Sequence, residues 1–369
     1  MRTRCVASLL VALAGVSLAS ACSSSTSTST SSTSGATAGT SAPASASAAS
    51  TSGSGDAASN APAISIPTNT AAAGKTIELI NGNDVDPYFF TVKDGAQAAA
   101  DTAGAKLVVQ APNSFDPTQQ VPLMASAIAN KVSAIILSAD GYQQLLPSLL
   151  QAHAAGIPVI LINESEGDMD NTPYALSFIT SDNTDLGQAA GLEMSQLVPS
   201  GSTVSVINSV TGLQSELERG SGFVDGLQAA GAGVTALPQQ FDDDDPTKAQ
   251  SIATDLLQAH PNLAGIYAVD SFTGQGVGTA IRALNKSGSV KVVALDAEPQ
   301  EVQLLQEGVI QALIAQKPYY VGQLAVEYAV DAITGKTSDI VRSVNPGSVT
   351  VTKSNFNSPE SQQAIYRSK

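Results

Sequence analysis

The stretch richest in groups that could read a small molecule is Asn81-Gly82-Asn83-Asp84-Val85-Asp86-Pro87-Tyr88-Phe89-Phe90. Polar, turn-forming residues run there into three adjacent aromatics, directly after the strand-like run 76–80 and at the entrance to a helix. That order brings hydrogen-bonding groups and flat apolar faces together at one strand end. Tyr88 and Phe89 are adjacent and cannot share one helical face, so at least one of them is expected to face a cleft.

Other candidate chemistry is weaker. Asp242-Asp243-Asp244-Asp245 has the charge for calcium, but not the alternating oxygen ligands, glycine and distal glutamate of a calcium loop. A solvated acidic loop is expected there. Gly274-Gln275-Gly276-Val277-Gly278 imitates a dinucleotide fingerprint with its third glycine one residue early, and small residues easing helix packing account for it better. Asp270 and Asp296 end strand-like runs, where a carboxylate could be doing no more than capping the next helix. No Gly-x-Ser-x-Gly elbow, His-Glu-x-x-His motif or cysteine dyad supplies a nucleophile or a metal site. The pattern points to binding rather than catalysis, with no cofactor and no metal.

The chain of 369 residues begins unusually. Met1-Arg2-Thr3-Arg4 is a basic start, residues 6–18 are a short apolar run, and Ala19-Ser20-Ala21-Cys22 is a small-residue cleavage context, which together read as an export signal over residues 1–22. The apolar run falls short of the roughly 20 residues that span a bilayer, so no transmembrane helix is expected. Leu18-Ala19-Ser20-Ala21-Cys22 resembles a bacterial lipobox, with Ala19 where a leucine is usual. Cys22 is therefore the expected acylation site, against the alternative of plain secretion with an incidental cysteine. Residues 23–74 are Ser, Thr, Ala, Gly and Pro with almost no charge, a composition that suits a disordered tether. The net charge of −15 and the lack of clustered Lys or Arg exclude nucleic acid as a partner. Beyond Cys5 and Cys22 there is no cysteine, so the folded part has no disulfide framework or reactive thiol.

These residues need elements to position them. From Lys75 onward, short apolar runs alternate with amphipathic segments, as in βαβ units. Strands are expected over 76–80, 106–109, 132–137, 157–162, 175–179, 203–208, 234–237, 264–268, 290–295, 309–316 and 348–351. Helices are expected over 90–103, 116–130, 142–155, 185–197, 215–230, 246–259, 272–285, 298–307 and 319–334, with Pro122 delaying or kinking the second. The class is α/β, and the pattern restarts near 175, which implies two similar halves with parallel sheets covered on both faces.

Over about residues 76–353 the chain resembles the type I periplasmic binding proteins, specifically the ribose-binding-like sugar receptors of ABC importers. The resemblance rests on an ordered set of phrases: Asp86-Pro87-Tyr88-Phe89 with Lys93-Asp94-Gly95-Ala96, Gly156-Ile157-Pro158-Val159, Ser181-Asp182-Asn183 with Gly187, and Glu218-Arg219-Gly220-Ser221-Gly222-Phe223. Ala259-His260-Pro261, Val293-Ala294-Leu295-Asp296 and Ala315-Gln316-Lys317-Pro318 with Gly322 complete it. It implies two Rossmann-like lobes joined by a three-crossover hinge and closing on a ligand. The N-terminal lobe would be 75–180 plus 317–345, the C-terminal lobe 181–316 plus 346–356, and 357–369 a tail. By the same resemblance, ligand contacts fall on Asp86, Tyr88, Phe89, Asn163, Glu164, Phe241, Asp270, Asp296 and Gln316.

Two departures stand out. Glu164 replaces an arginine after Asn163, and Leu217 stands where another would precede Glu218-Arg219-Gly220, with Arg219 assigned to the structural part of that phrase. The pocket then loses bidentate donors and is rich in acceptors. A small sugar or polyol remains the expected solute, with an amine-bearing or cationic molecule as an alternative that would satisfy the carboxylates at lower cost. The expected partner is an ABC permease, and the protein is expected to be an exported monomer, lipid-anchored to the outer face of the cell membrane. A ligand-sensing subunit of a membrane signalling protein is a further alternative. A secreted enzyme lacks a catalytic constellation.

Overall fold

Near-continuous β-branched runs become short strands buried on both faces, because the helices between them cover each sheet from two sides. The computed structural model describes residues 59–66, 72–163 and 173–368. The first repeat runs β1 (Thr76–Ile80), α1 (Pro87–Ala103), β2 (Lys106–Gln110), α2 (Pro117–Ala129), β3 (Ala134–Leu137), α3 (Tyr142–Ala154), β4 (Val159–Ile162) and β5 (Ser177–Ile179). The second runs α4 (Asn183–Leu197), β6 (Thr203–Asn208), α5 (Gln214–Ala229), β7 (Thr235–Ala236), β8 (Gln240–Phe241), α6 (Pro246–Ala259), β9 (Gly265–Ala268), α7 (Ser271–Ala283), β10 (Lys291–Leu295), α8 (Pro299–Glu307) and β11 (Ala312–Ala315). The closing segment adds α9 (Pro318–Thr334), β12 (Ser343–Val344), β13 (Val349–Thr352) and α10 (Pro359–Ala364).

Two sheets result. One has the order β12-β5-β4-β3-β1-β2, the other β13-β11-β10-β9-β6-β7 with β8 also on β6. Every pairing is parallel except β11 with β13. Removing the edge strands β12 and β13 leaves one doubly wound order in both sheets, whose ligand crevice lies where the order reverses at the carboxyl ends of the strands. The chain passes between sheets three times: from β5 into α4, from β11 into α9, and from β12 into β13.

Each lobe is held by closely packed helices. Against α1 lies α9, and against α4 lies α5. A Cβ on Gly187 of α4 would overlap the carbonyl oxygen of Arg219 on α5, so glycine there lets the two backbones approach and sets where Arg219 emerges. Behind α5, Phe223 stacks on Tyr267 of β9 at 4.6 Å and 12°.

Three sequence expectations change here. Helix α2 starts on time at Pro117 with Pro122 inside it, and Asp116 caps it by accepting from the Thr118 amide at 2.9 Å. Residues 59–66, expected within the tether, instead lie against the N-terminal lobe. Asn60 exchanges backbone and side-chain bonds with Asn345, and the Ser65 amide donates to Glu327 at 2.8 Å. The expected tail contains α10 and a buried Tyr366. Residues 1–58, including the export signal and Cys22, lie outside the described residues.

Candidate functional site

A cavity of about 340 Å³ opens where the carboxyl ends of the two sheets face each other. On the N-terminal side, the segment after β1 supplies Asp86 and Tyr88. Asp86 is the N-cap of α1, accepting from the Tyr88 amide at 2.7 Å, and its own amide donates to Asn83 at 2.8 Å. Phe115 follows β2, Asp140 follows β3 and Asn163 follows β4, and all three line the cavity. Gly82 makes the wall compact: a Cβ there would come within 2.7 Å of both the Phe115 and the Phe89 ring and within 2.9 Å of Asp140. Asn163 has φ +57°, a left-handed conformation that asparagine tolerates better than most residues.

On the C-terminal side, Arg219 reaches the cavity from α5. Its Nε donates to Asn183 at 2.9 Å, and Nη1 donates to Glu216 at 2.6 Å and to the Val269 carbonyl at 3.4 Å. Asp270 follows β9 and caps α7 through the Thr273 amide at 2.8 Å. Next to it, Ser271 donates to Glu298 at 2.8 Å, and Phe272 lines the cavity with 39% of its surface exposed. Asp296 follows β10 with φ +76°, and its Oδ1 accepts from Gln316 at 2.9 Å and from Tyr366 at 2.6 Å. These two bonds hold a left-handed backbone that aspartate adopts less readily than glycine.

Of the sequence candidates, Asp86, Tyr88, Asn163, Asp270, Asp296 and Gln316 line this one cavity. Glu164 lies outside the described residues. Phe89 does not line it. At 1% exposure it is a core residue, edge-on to Tyr88 at 5.3 Å and 6.0 Å from Phe115, so it backs the ring that does face the ligand space. Nor does Phe241, which pairs with Asn208 at the β6–β8 edge, and Phe272 is the aromatic on that side. The acidic run 242–245 is not a plain solvated loop: Asp242 is fully buried and accepts from Thr273 at 2.6 Å, Asp244 lines the cavity, and Asp245 caps α6. Arg219, read as structural from the sequence, faces the cavity, while Leu217 is exposed and does not line it.

A family model for the periplasmic binding protein domain matches residues 77–337. The chain belongs to the periplasmic binding protein family. The ribose import binding protein of Salmonella typhimurium is 29% identical over 282 residues, covering 75% of this chain and 91% of the relative. The D-allose-binding periplasmic protein of Escherichia coli is 27% identical over 253 residues, covering 67% and 81%. Among solved structures, an ABC transporter solute binding protein of Agrobacterium vitis bound with α-D-tagatopyranose is 31% identical with a TM-score of 0.70, covering 80% of this chain and all of that one.

The cleft of this binding protein is electrostatically lopsided. Among the described residues it is lined by the carboxylates of Asp86, Asp140, Glu216, Asp244, Asp270, Asp296 and Glu298, against the single guanidinium of Arg219. Burial pushes Asp86 up to about 7, opposed by its bond from the Tyr88 amide and aided by the charges of Asp296 and Asp270. Burial likewise carries Glu298 to about 8, with Asp86 adding to the rise. Glu216 and Asp296 are also raised by burial, opposed in both cases by Arg219. Near neutral pH part of this set holds protons, and a protonated carboxyl donates a hydrogen bond that the ionised form cannot. Carboxyl protons thereby supply donors in a cleft with one guanidinium.

Proposed function

We propose that this binding protein closes its lobes on a small sugar or polyol and presents it to an ABC permease. The observation that carries the reading is the cavity at the strand ends of both sheets, where aromatic faces from Tyr88, Phe115 and Phe272 meet polar edges from Asp86, Asn163, Asp270 and Asp296. Hydroxyl-rich rings need this combination of flat apolar contact and directed hydrogen bonds. The relatives named for ribose and allose, and the solved neighbour holding tagatose, support the ligand class. Closure is favoured by a ligand that touches both lobes at once. Isothermal titration with D-ribose, D-allose, D-arabinose, D-tagatose and a linear polyol tests it. Heat and saturation with at least one member is expected, and silence from the whole panel would overturn the reading. The protein leaves its ligand chemically unchanged, and a product recovered after incubation would contradict that.

The excess of carboxylates favours a second reading, an amine-bearing ligand such as an amino sugar. The two ligand types separate by pH. Raising pH from 6 to 8.5 ionises Asp86 and Glu298, which removes donors from a neutral sugar and adds attraction for a cation. A neutral ligand is therefore expected to lose affinity over this range and D-glucosamine to gain it, to the extent that its amine stays charged.

We further infer export through residues 1–22 and acylation of Cys22, which would hold the receptor on the outer face of the membrane by its tether. The sequence around Cys22 supports this. Cys22→Ser is expected to release the protein from the membrane fraction into the medium.

A further inference from the structure

The segment Ser358–Arg367 has no part in the function proposed above, yet it ends inside the wall of the cleft. Helix α10, capped by Ser358 through the Ser361 amide at 3.1 Å, packs on β13 of one lobe and α9 of the other. The chain then straightens. The Tyr366 amide donates to the Ala297 carbonyl at 3.0 Å, and its phenol donates to Asp296 Oδ1 at 2.6 Å. Its ring stands edge-on to Tyr88 at 5.7 Å and is 3% exposed. One residue later the Arg367 amide donates to Thr91 Oγ1 at 2.7 Å, and its guanidinium lies 3.0 Å from Asp94 and 4.7 Å over the Tyr319 ring. Within two residues the chain bonds to the exit of β10 in the C-terminal lobe and to α1 and α9 in the N-terminal lobe.

Three covalent crossovers define the hinge, and this contact is a non-covalent fourth. It converges on Asp296, whose left-handed backbone needs outside support. That support comes from Gln316, itself in a crossover, and from Tyr366, itself tied through Arg367 to the opposite lobe. A change in lobe separation must then pull on one of the two groups that aim this carboxylate.

We propose that Tyr366 and Arg367 form a strap across the lobes, in which Tyr366 is a positioning residue that aims Asp296 at the ligand and Arg367 fastens that aim to the N-terminal lobe. The ligand half of this proposal rests on the cleft being the binding site. The strap half does not.

The test uses the full chain as wild type, Tyr366→Phe, Arg367→Ala, Asp296→Asn and the Asp296→Asn/Tyr366→Phe double variant. Tyr366→Phe keeps the ring and removes one hydrogen bond to a carboxylate, so affinity for every panel sugar that the wild type binds is expected to fall about tenfold. The double variant is expected to bind no more weakly than Asp296→Asn alone, because the hydroxyl acts through the carboxylate. Without ligand, hydrogen exchange of Arg367→Ala is expected to quicken in peptides spanning the crossovers at Gln316 and Asn345, and to stay unchanged in β6 and β9. Wild-type affinity in Tyr366→Phe, additive losses in the double variant, or exchange that is either unchanged or faster everywhere would each overturn the strap. If no panel sugar binds even the wild type, the functional reading fails and the ligand-free exchange still decides the strap.

Discussion

Among the described residues, the order β2-β1-β3-β4-β5 in the N-terminal lobe delivers to the cleft the rings of Tyr88 and Phe115 and the carboxylates of Asp86 and Asp140. The same order in the C-terminal lobe, β7-β6-β9-β10-β11, delivers one ring, Phe272, together with five carboxylates and Arg219. The repeated topology fixes where strand ends go, not what stands there. Among the described residues, one lobe lines the cavity mainly with rings. The other offers a buried, hydrogen-bonded charge network. The first prediction strikes at that network. Arg219→Met leaves Glu216, whose side chain is 7% exposed, buried beside an apolar neighbour. Burial already lifts Glu216 to about 8 beside Arg219, so without the guanidinium it holds its proton, and the lost hydrogen bonds are expected to cost about 1–3 kcal/mol of stability, measured by urea unfolding, with panel affinity falling as well. Adding Glu216→Gln should recover part of the stability and none of the affinity. If Arg219→Met alone leaves stability intact, the C-terminal lobe has no such network and the contrast between lobes collapses.

The second prediction uses protons. Asp86 rises from 3.8 to about 7 and Glu298 from 4.5 to about 8 on folding. Between the low and the raised values the folded protein binds more protons than the unfolded chain, so stability falls as pH rises. The proton-linked stabilisation is fully present below the unfolded values and lost as pH climbs through about 7 and then about 8. The ligand-free melting temperature is expected to drop by roughly 5 °C between pH 5 and pH 8.5. Asp86→Asn should flatten that slope only up to about pH 7 and Glu298→Gln up to about pH 8, so the stretch between the two reports Glu298 alone. A melting temperature that stays flat across this range would mean the carboxylates are solvated.

These two predictions involve residues that the sequence revealed to different degrees. The strands were legible because parallel strands covered on both faces read as unbroken apolar runs, as in Val159–Ile162 and Lys291–Leu295. Asp86, Asp270 and Asp296 were legible because ligands of doubly wound sheets sit at strand ends. The aromatic walls were not. Adjacency required one of Tyr88 and Phe89 to face the cleft but could not say which, and Phe115 sits in an irregular stretch after β2 where no periodicity assigns a face. The signal available for Phe115 and Phe272 was a large aromatic placed beside a helix cap, Asp116 in one case and Asp270 in the other. Where Arg219 emerges depends on the close approach of α4 and α5 at Gly187, a tertiary fact that no local sequence pattern carries. The short helix α10 carries too few residues for a periodic pattern, which is why Tyr366 looked like part of a tail.

Phe115 sharpens the N-terminal side of the comparison. It is 57% exposed and rests on Phe89. Phe115→Ala removes contact area from the ligand without opening the core, so affinity is expected to weaken about tenfold while unfolding free energy moves by less than about 1 kcal/mol. Phe89→Ala reverses the pattern, with a loss of about 3–5 kcal/mol in stability from the cavity it leaves. Equal losses from both variants would mean that Phe115 is part of the core and the aromatic wall is mis-assigned.

The smallest effect compares two residues in one role on opposite sides of the cleft. Asp86 caps α1 and Asp270 caps α7, each through a single backbone amide. Asparagine caps about as well as aspartate, so neither Asp→Asn change should disturb its helix. Asp86→Asn removes a half-buried, proton-seeking carboxyl, and at pH 8.5 it is expected to stabilise the ligand-free protein by about 1 kcal/mol, a gain that shrinks as pH falls and vanishes below about pH 4. If the second reading of the ligand holds, both substitutions should weaken D-glucosamine more than D-ribose. If the cleft takes a neutral sugar, the two lobes should part company. Asp270→Asn, beside the Glu298–Ser271 network, then weakens binding, while Asp86→Asn offers the sugar a permanent donor where the carboxyl held its proton only below about pH 7.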